Sequence, residues 1–586
     1  MKNKYFHILF FTGLLAIVLS CKSMAPIEGT LPQVQPIEVL FTAKDTTWKT
    51  FSLREKIGQT MIIRAFHDDQ VKQFGSIQKM MEQYPVGGIY VPWWDFLYKS
   101  PRDSVIFRVK KAVASYENAS KIPLIITEDF ERGVGNVYSE FTDMPVEMAL
   151  GATHRPDLAY RYGNSIAKEA QSLGINWLLH PLGDLNMNPL QDLIVERAIS
   201  DNVTHAYPLL KSQINGMHNQ GVVSTLKHFP GDGTTIKNQH LVTSSNNLSK
   251  KDWDQSFGAL YQNMINDSIP CIMVGHINFP AVQTQKLKGV YPPASLSKEL
   301  MVDLLKGKMK FNGVIMSDAL NMGGAAGYYQ NELETAVEAF KSGVDMVLWP
   351  HLEYMDEVEK RIKSGEIPMS RLDDAVARVW GIREKYGLLQ KKSSVFYELS
   401  EQDVQDIKQT AKEVAQNAVT LISGKEFIPL QSSKNPKILI VNIGFVDQTE
   451  RLKITQKLLQ NNGFDCDTII HNPNFFEYGQ KLDFFDNYDK ILVAFENHYF
   501  SPLGTSLLKD KEALGMWTLG MLPAEKIIAV SYSNPYYVNL YFENAPIKLN
   551  AYSLDEFTQI AVVEALVGKI PFVGISPVKL NHRELE

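Results

Sequence analysis

The chain has 586 residues, of which 45% are hydrophobic and 21% are charged, with 37 glycines and 28 prolines. This composition is typical of globular proteins and excludes collagen-like, disulfide-scaffold and disordered chains. The formal net charge of −6 provides no basic surplus for nucleic acid, and the three cysteines match no metal-ligand spacing. We therefore expect a globular protein of about two or three domains with no nucleic-acid partner, metal or cofactor.

The first twenty residues, MKNKYFHILFFTGLLAIVLS, place two lysines ahead of an apolar stretch too short for a comfortable membrane span. This pattern is typical of an export signal. The stretch leads directly into Cys21, and residues 18–21 resemble the bacterial lipobox, in which the leader is cleaved before a cysteine that receives a lipid. The sequence predicts a lipoprotein signal peptide over 1–20 and a tether with domain entry over 21–50.

This leader predicts a lipid-anchored protein of the cell envelope, on its periplasmic or outer-membrane face, with the membrane reached through Cys21. A plain signal peptide followed by an incidental cysteine is the alternative. Cleavage removes two lysines and changes the formal net charge from −6 to −8.

Eight short apolar runs recur between residues 61 and 350, each followed by a polar or glycine-rich loop. Continuous apolar runs without alternation are typical of strands buried on both faces of a parallel sheet, and the segments between them are long enough for crossover helices. The sequence therefore predicts an α/β fold, a (β/α)₈ TIM barrel over 51–392. The runs are MIIRAF (61–66), GIYVP (88–92), LIITED (124–129), INWLLHP (175–181), VVSTLKHF (222–229), IMVGH (272–276), VIMSD (314–318) and MVLWP (346–350).

Amphipathic spacing predicts helices over 156–173, 300–308 and 372–388. A second α/β region over 393–586 then follows a polar linker, with a predicted helix over 404–420. Its predicted strands span 437–442, 489–495, 526–531 and 547–551. This region is long enough for a core of its own.

Several of the apolar runs end in a titratable residue, among them Asp129, Lys227 with His228, His276 and Asp318. In a (β/α)₈ barrel the active site lies at the carboxyl ends of the strands, so these side chains are candidate site residues.

Two of these run ends carry the strongest chemical signals. Lys227 and His228 begin the segment KHFPGDG, whose glycines indicate a tight turn and a loop that bears His240. Asp318 ends the apolar run VIMSD (314–318), so it is a candidate nucleophile at a partly dry barrel mouth. A solvated loop histidine and a helix-capping aspartate are the structural alternatives.

Taken together, several motifs resemble glycoside hydrolase family 3, and most of all its β-N-acetylglucosaminidase subgroup. They are SLREKIGQTMI (52–62), PLIITEDFERG (123–133), INWLLHPLGDLNMNP (175–189), KHFPGDG (227–233), GVIMSDALNM (313–322) and RLDDAVARVWGIREKYGL (371–388). The resemblance implies a TIM barrel followed by a C-terminal α/β sandwich. It also implies a retaining exo-β-N-acetylglucosaminidase that removes terminal β-linked N-acetylglucosamine, for which we expect peptidoglycan fragments as substrate.

The resemblance also assigns roles by position. Asp318 matches the nucleophile that forms a covalent glycosyl-enzyme, and His240 matches the acid/base of the subgroup. A histidine suits this role because its pKa of about 6.5 lies near working pH. The residues that match substrate-binding positions are Asp129, Arg197, Lys227, His228 and, more weakly, His276.

The chain departs from the subgroup pattern at three places. Asn238 occupies the position of an aspartate that orients the acid/base histidine, and an amide cannot stabilise an imidazolium by charge. Asp232 stands where the commoner loop has a histidine, and we expect it to support the loop as a partner for His240. The usual Gly-Gly-Arg is replaced by residues 132–134, Arg-Gly-Val.

These departures leave two alternatives open. One is a β-glucosidase or β-xylosidase of the same family, with Glu496 or Glu543 as a carboxylic acid/base. The other is a catalytically weakened carbohydrate-binding lipoprotein.

Overall fold

The computed structural model describes residues 43–99, 101, 104–390, 396–431, 436–496 and 507–580. The predicted leader and Cys21 lie outside these ranges. No helix within them combines the length and the apolar character that crossing a bilayer requires.

Eight parallel strands form the first sheet, in the spatial order β8-β1-β2-β3-β4-β5-β6-β7. A backbone bridge between Met316 and Met346 brings the two ends of the sheet together as a nearly closed barrel. Each of the eight predicted apolar runs contains or overlaps one strand, so the predicted barrel is confirmed. The strands are β1 (Met61–Arg64), β2 (Gly88–Tyr90), β3 (Ile125–Glu128), β4 (Trp177–Leu178), β5 (Val223–Phe229), β6 (Cys271–Val274), β7 (Val314–Ser317) and β8 (Val347–Leu348).

Alternate residues of these strands belong to two separate cores. Ile125, Trp177 and Cys271 lie in the barrel interior, whereas Ile126 and Leu178 face the surrounding helices. Strands that bury both faces need apolar residues at every position, which explains why the sequence runs are continuous.

The helices of the barrel fall close to their predicted positions. The predicted helices over 156–173 and 372–388 are confirmed within about three residues, and the one over 300–308 has π-helical hydrogen bonding. The helices are Leu53–Gly58, His67–Phe74, Ile77–Gln83, Trp93–Lys99, Val105–Ala119, Glu147–Thr153, Pro156–Ser172, Val203–Asn219, Lys250–Gln255, Phe257–Asn266, Glu299–Lys308, Gly323–Ala326, Glu332–Ser342, Tyr354–Lys363 and Met369–Lys385.

The last of these helices, Met369–Lys385, closes the amino-terminal end of the barrel. Its Val379 and Ile382 join the interior core. Arg383, fully buried, donates hydrogen bonds to the carbonyls of Gly87 and Pro123, which precede β2 and β3. Burial lowers the pKa of Arg383 to about 10, so it is a cation at neutral pH. This end of the barrel is sealed, which leaves the carboxyl end open.

The second sheet has six strands in the order β9-β14-β13-β12-β10-β11. Only β9 is antiparallel to its neighbour among the described strands. Alternate residues of its strands enter two cores, one on each face, so the sheet lies between helical layers. The strands are β9 (Thr420–Ser423), β10 (Lys437–Ile443), β11 (Asp465–His471), β12 (Lys490–Phe495), β13 (Ile527–Ser531) and β14 (Ile547–Asn550).

The sequence expectations for this region need two corrections. The edge strands β9 and β11 were not predicted. The predicted helix over 404–420 is Glu401–Ala418, which begins at a capping box between Ser400 and Asp403, and Thr420 begins β9. The other helices here are Thr449–Asn461, Phe475–Tyr478, Asp483–Asp486, Asp510–Gly520, Tyr537–Tyr541 and Glu556–Leu566.

Helix Glu401–Ala418 joins the second sheet to the barrel. Lys168 of the barrel layer pairs with Asp403 at 2.6 Å, and Arg161 pairs with Glu413 at 2.7 Å. The C-terminal segment also returns to the barrel, where the backbone N–H of Ile575 donates to the carbonyl of Ala152 at 3.0 Å.

Candidate active site at the barrel mouth

Four charged side chains form a connected cluster where β3 and β5 end. Lys227 lies 2.7 Å from Asp129 and 2.8 Å from Glu131, and Glu131 receives two hydrogen bonds from Arg197, each 2.8 Å long. Lys227 is buried, whereas 38% of the Asp129 side chain is exposed. Three of the four were predicted; Glu131 was missed.

Glu131 holds the two cations of this cluster together. Burial opposes its ionisation, but Arg197 and Lys227 outweigh burial and hold its pKa well below the usual value. It lies two residues after Asp129 and directly before residues 132–134, the Arg-Gly-Val that replaces the usual Gly-Gly-Arg. An acidic residue beside this departure was the signal that could have identified it. Arg132, the next residue, turns away, with its guanidinium 3.8 Å from Asp143.

Tyr90, the last residue of β2, lies between two carboxyl groups. Its hydroxyl is 2.7 Å from Glu128 Oε1 and 2.8 Å from Asp129 Oδ2. A phenol carries one proton, so Tyr90 cannot donate fully to both oxygens at once. Burial and the charge of Asp129 raise the pKa of Glu128, so Glu128 holds a proton more readily than an ordinary carboxyl group. When Glu128 is protonated it can donate to Tyr90, which leaves the Tyr90 proton for Asp129.

Asp318 lies at the end of β7, beside His228, and its side chain is 13% exposed. Its Oδ1 accepts the backbone N–H of Ala319 at 2.7 Å, and its Oδ2 lies 3.8 Å from His228 Nε2. Burial alone would raise the pKa of Asp318, but His228, His276, His240 and the Ala319 N–H together lower it. Asp318 is therefore a carboxylate at neutral pH.

His228, at the end of β5, is oriented by an aspartate that sequence reasoning did not single out. Asp184 Oδ2 lies 2.7 Å from His228 Nδ1, and Asp184 Oδ1 accepts the backbone N–H groups of His228 and Asp232. Asp184 is fully buried and follows β4 in the motif HPLGD, so a carboxylate after that strand was the available signal.

The loop after β5 carries His240, and its two glycines are required by close contacts. Gly231 and Gly233 have φ angles of +110° and +107°. A Cβ at Gly231 would lie 2.1 Å from the Phe257 ring, and one at Gly233 would lie 2.0 Å from the carbonyl of Leu185. The predicted tight turn is confirmed.

The tip of this loop is tied to the segment that follows Asp318. The backbone N–H of Gly323 donates to the His240 carbonyl at 2.9 Å, and that of Gly324 donates to the Gln239 carbonyl at 3.1 Å. These bonds hold His240 beside the carboxyl end of β7, where the charge of Asp318 acts to raise the pKa of its ring.

Asn238 orients the His240 ring, as its position in the sequence predicted. Asn238 Oδ1 lies 3.0 Å from both the backbone nitrogen and the Nδ1 of His240. A carbonyl oxygen only accepts, so Nδ1 carries the proton and Nε2 is available to the site. Burial, chiefly, lowers the pKa of His240 to about 4, although Asp318 raises it, so the unliganded ring is neutral at neutral pH.

Asp232, which was expected to be a partner for His240, lies at the base of the loop. Asp232 does not pair with His240 among the described contacts; its Oδ1 accepts from Gly233 N at 2.8 Å and Ser244 Oγ at 3.1 Å. It therefore supports the loop base.

His276, predicted to bind substrate, is fully buried. Its Nε2 lies 2.9 Å from the Ala319 carbonyl and its Nδ1 lies 2.9 Å from Ser295 Oγ. Neither nitrogen is left for a sugar hydroxyl, because both are engaged in these bonds. We reassign His276 to holding the turn that follows Asp318.

The described residues contain no group of three histidine, cysteine or acidic side chains arranged to hold a metal. Cys271 and Cys466 are free and buried. The mouth instead combines an ionised carboxylate, an imidazole and a cluster of paired charges able to bind hydroxyl groups. These are the parts of a glycoside-cleaving site, in which one group attacks and another protonates the leaving oxygen.

The sequence comparisons agree with this class. Residues 52–382 match the family described as Glycosyl hydrolase family 3 N terminal domain. Because the match spans more than half of the chain, the protein belongs to glycosyl hydrolase family 3.

One of two similar relatives extends the match to the second sheet. A β-N-acetylglucosaminidase/β-glucosidase of Cellulomonas fimi is 26% identical over 566 residues, which cover 91% of this chain and 94% of the relative. A β-hexosaminidase of Haemophilus influenzae is 32% identical over 253 residues, covering 41% of this chain and 68% of the relative.

Solved structures share both sheets. A β-glucoside phosphorylase bound to 2FGlc has a TM-score of 0.78 and 26% identity, covering 91% of this chain and 95% of its own. A family 3 β-N-acetylglucosaminidase of Paenibacillus has a TM-score of 0.77 and 23% identity, covering 91% and 99%. The chain is a glycoside hydrolase with the two-part fold of these structures.

Proposed function

We propose that the protein is a retaining exo-β-N-acetylglucosaminidase. The observation that carries this proposal is the position of His240, on a loop tied beside Asp318 and oriented by Asn238. Two of the relatives bear names of the N-acetylglucosaminidase or hexosaminidase class, which supports the same activity.

The proposed reaction has two displacements. A carboxylate oxygen of Asp318 attacks the anomeric carbon, and the glycosidic oxygen leaves with a proton from protonated His240. A water molecule then gives a proton to His240 Nε2 and its oxygen to the anomeric carbon, which releases Asp318. The lowered pKa of Asp318 keeps it ionised for attack.

The charge cluster is proposed to bind the sugar that is cleaved. Asp129 is the most exposed member, and both of its oxygens already accept hydrogen bonds from Lys227 and Tyr90. It is therefore held in one orientation, in which its remaining lone pairs accept sugar hydroxyls. Fixed groups of this kind lower the barrier because they do not reorganise during the reaction.

A panel of nitrophenyl glycosides tests the activity. We expect turnover of the β-N-acetylglucosaminide and little of the β-glucoside or β-xyloside. Turnover of the glucoside or xyloside alone would contradict the proposal and favour a carboxylic acid/base such as Glu496 or Glu543. Silence on all three would favour the carbohydrate-binding lipoprotein.

A second candidate function is cleavage of β-glucosides, with phosphate or water as acceptor. The similarity to the β-glucoside phosphorylase, at 26% identity over most of both chains, favours it. The same panel with and without inorganic phosphate separates the two acceptors, because phosphorolysis yields a sugar 1-phosphate and hydrolysis yields the free sugar.

We also propose that the enzyme acts in the cell envelope on peptidoglycan fragments, anchored through a lipid on Cys21. The leader sequence supports this location. Metabolic labelling with a palmitate analogue should tag the wild type and leave Cys21→Ala untagged. Release of N-acetylglucosamine from purified muropeptides tests the substrate; release from chitobiose alone would oppose it.

A further inference from the structure

A buried aspartate lies on the far side of the amide that orients His240. Asp192 is 6% exposed and belongs to the segment that follows β4. Its side chain is hydrogen-bonded to the side chain of Asn238. Its Oδ1 has no hydrogen-bond partner among the residues that the structure describes, so the bond to Asn238 falls on the other oxygen.

The direction of each bond in this arrangement is fixed by chemistry. Asn238 Oδ1 accepts from His240 twice, through the backbone N–H and through Nδ1. Only the Nδ2 group of Asn238 is left to face a carboxylate, and it donates. If the Asn238 amide were rotated, its N–H would face the N–H groups of His240, donor against donor. Its oxygen would face the carboxylate of Asp192, acceptor against acceptor.

We propose that Asp192 is a positioning residue for the acid/base, acting on His240 through Asn238 in a three-member chain Asp192–Asn238–His240. This inference rests on the proposed role of His240. Asp192 fixes the amide in the orientation that His240 requires. Burial raises the pKa of Asp192 and the Asn238 hydrogen bond opposes this rise, so above its own pKa Asp192 also supplies, one residue further away, the negative charge that Asn238 lacks.

The segment that carries Asp192 is held by the substrate-binding cluster. The Gln191 side chain accepts the backbone N–H groups of Leu193 and Ile194, at 2.6 and 2.7 Å. Arg197 Nη1 donates to the Leu193 carbonyl at 3.0 Å, while its other nitrogens bind Glu131. One guanidinium thus connects the sugar-binding charges to the support of the acid/base.

The other groups that face the His240 ring set the background against which Asp192 acts. Burial is the main cause that lowers the pKa of His240; Arg197 and the neighbouring rings of His228 and His276 act in the same direction, and Asp318 acts against them. A further negative charge at Asp192 opposes this lowering. Its removal should therefore lower the pKa of His240 and weaken protonation of the leaving group.

The test compares kcat/KM for two β-N-acetylglucosaminides, the phenyl glycoside, which needs a proton on departure, and the 2,4-dinitrophenyl glycoside, which does not. Asp192→Asn should lower kcat/KM for the phenyl glycoside by about tenfold and change that for the dinitrophenyl glycoside by less than about twofold. Because partial unfolding lowers both values equally, their ratio reports only the acid/base.

The pH profile gives a second readout that a purely structural role would not move. Protonated His240 is the acid, so kcat/KM for the phenyl glycoside falls as the pH rises through its pKa. In Asp192→Asn this fall should move to lower pH by about 0.5 to 1 unit. Asp555→Asn, which alters a buried helix-capping aspartate of the second sheet region, is the matched control and should leave the profile unchanged.

Asn238→Asp closes the test, because it gives His240 a direct carboxylate partner. In that background Asp192→Asn should no longer lower the substrate ratio. The proposal is overturned if Asp192→Asn leaves both the ratio of the two kcat/KM values and the pH profile unchanged. It is also overturned if Asp192→Asn lowers that ratio equally with and without Asn238→Asp. His240→Ala separates this failure from failure of the proposed function, since equal loss on both glycosides there would remove the acid/base assignment itself.

Discussion

The eight-stranded and the six-stranded sheet both end in polar residues, but the two sets are used differently. At the carboxyl end of the second sheet, Asn442 is fully buried and bonds to the backbone of Gln448 and Ala494 and to the ring of His471. Asn472 makes two bonds to the backbone of Gly444. These neutral amides close the turns that follow the strands.

At the carboxyl end of the barrel, the polar residues are charged and bond mainly to each other. Lys227 binds Asp129 and Glu131, and Arg197 binds Glu131. A polar strand end therefore indicates chemistry when its partners are other titratable side chains, and indicates structure when its partners are backbone groups. Variants at the two ends should separate activity from stability.

The largest effect is expected from Asp318→Asn, which removes the proposed nucleophile. We expect kcat to fall by about 10⁴-fold or more, because an amide cannot form the glycosyl-enzyme. An activated fluorinated sugar should add its mass to the peptide containing Asp318 in the wild type and not in the variant. Labelling of another residue would show that Asp318 is not the nucleophile.

His240→Ala should have the next largest effect. Loss of the proton donor should lower kcat/KM for the phenyl glycoside by about 10²–10⁴-fold and leave the dinitrophenyl glycoside much less affected. In the wild type, the pKa of about 4 for His240 predicts that phenyl glycoside cleavage declines as the pH rises toward neutrality. A profile that rises over this range would contradict His240 as the acid.

Glu131→Gln should have a moderate effect at the same end of the barrel. The amide keeps the shape but removes the charge that pairs Lys227 with Arg197, so we expect kcat/KM to fall by about 10-fold. Glu450→Gln is the matched control, since that side chain is 82% exposed and pairs only with Lys453 among the described ion pairs. Equal behaviour of the two variants would show that Glu131 is not part of the site.

Asn442→Ala should have the smallest effect on activity. The free energy of unfolding should decrease by about 1–3 kcal/mol, because the groups that bond to Asn442 are left without a hydrogen-bond partner from this side chain. Urea denaturation measures this loss, and kcat/KM at a temperature where the variant is folded should change by less than about twofold. A large fall in kcat/KM would mean that the second sheet contributes to the chemistry.

Much of the fold followed from the sequence because central strands have a distinct pattern. In the eight barrel strands and the four inner strands of the second sheet nearly every residue is buried, and most of these strands are rich in apolar residues. The edge strands β9 and β11 were missed because they expose one side; in β11, DCDTIIH, only Cys466 is buried. A half-buried strand with polar residues is hard to separate from a loop.

Only part of the candidate site could be predicted from the sequence. Asp318 and His240 were found because they belong to recognisable motifs. Glu131 and Asp192 were not, because their importance depends on partners from other loops, Arg197 for the first and Asn238 for the second. His276 was misassigned since the sequence does not reveal that Ser295 and Ala319 occupy both ring nitrogens.

The hydroxyl of Tyr90 gives the site a second pH limit that is independent of its histidines. While Glu128 holds its proton, the sequence of donors runs from Glu128 to Tyr90 to Asp129. Once the pH passes the raised pKa of Glu128, two carboxylates compete for the single proton of Tyr90. The hydrogen bond from Tyr90 to Asp129 is then weakened. Binding of the sugar hydroxyls by Asp129 should then weaken in alkaline solution, including for substrates whose leaving group needs no proton.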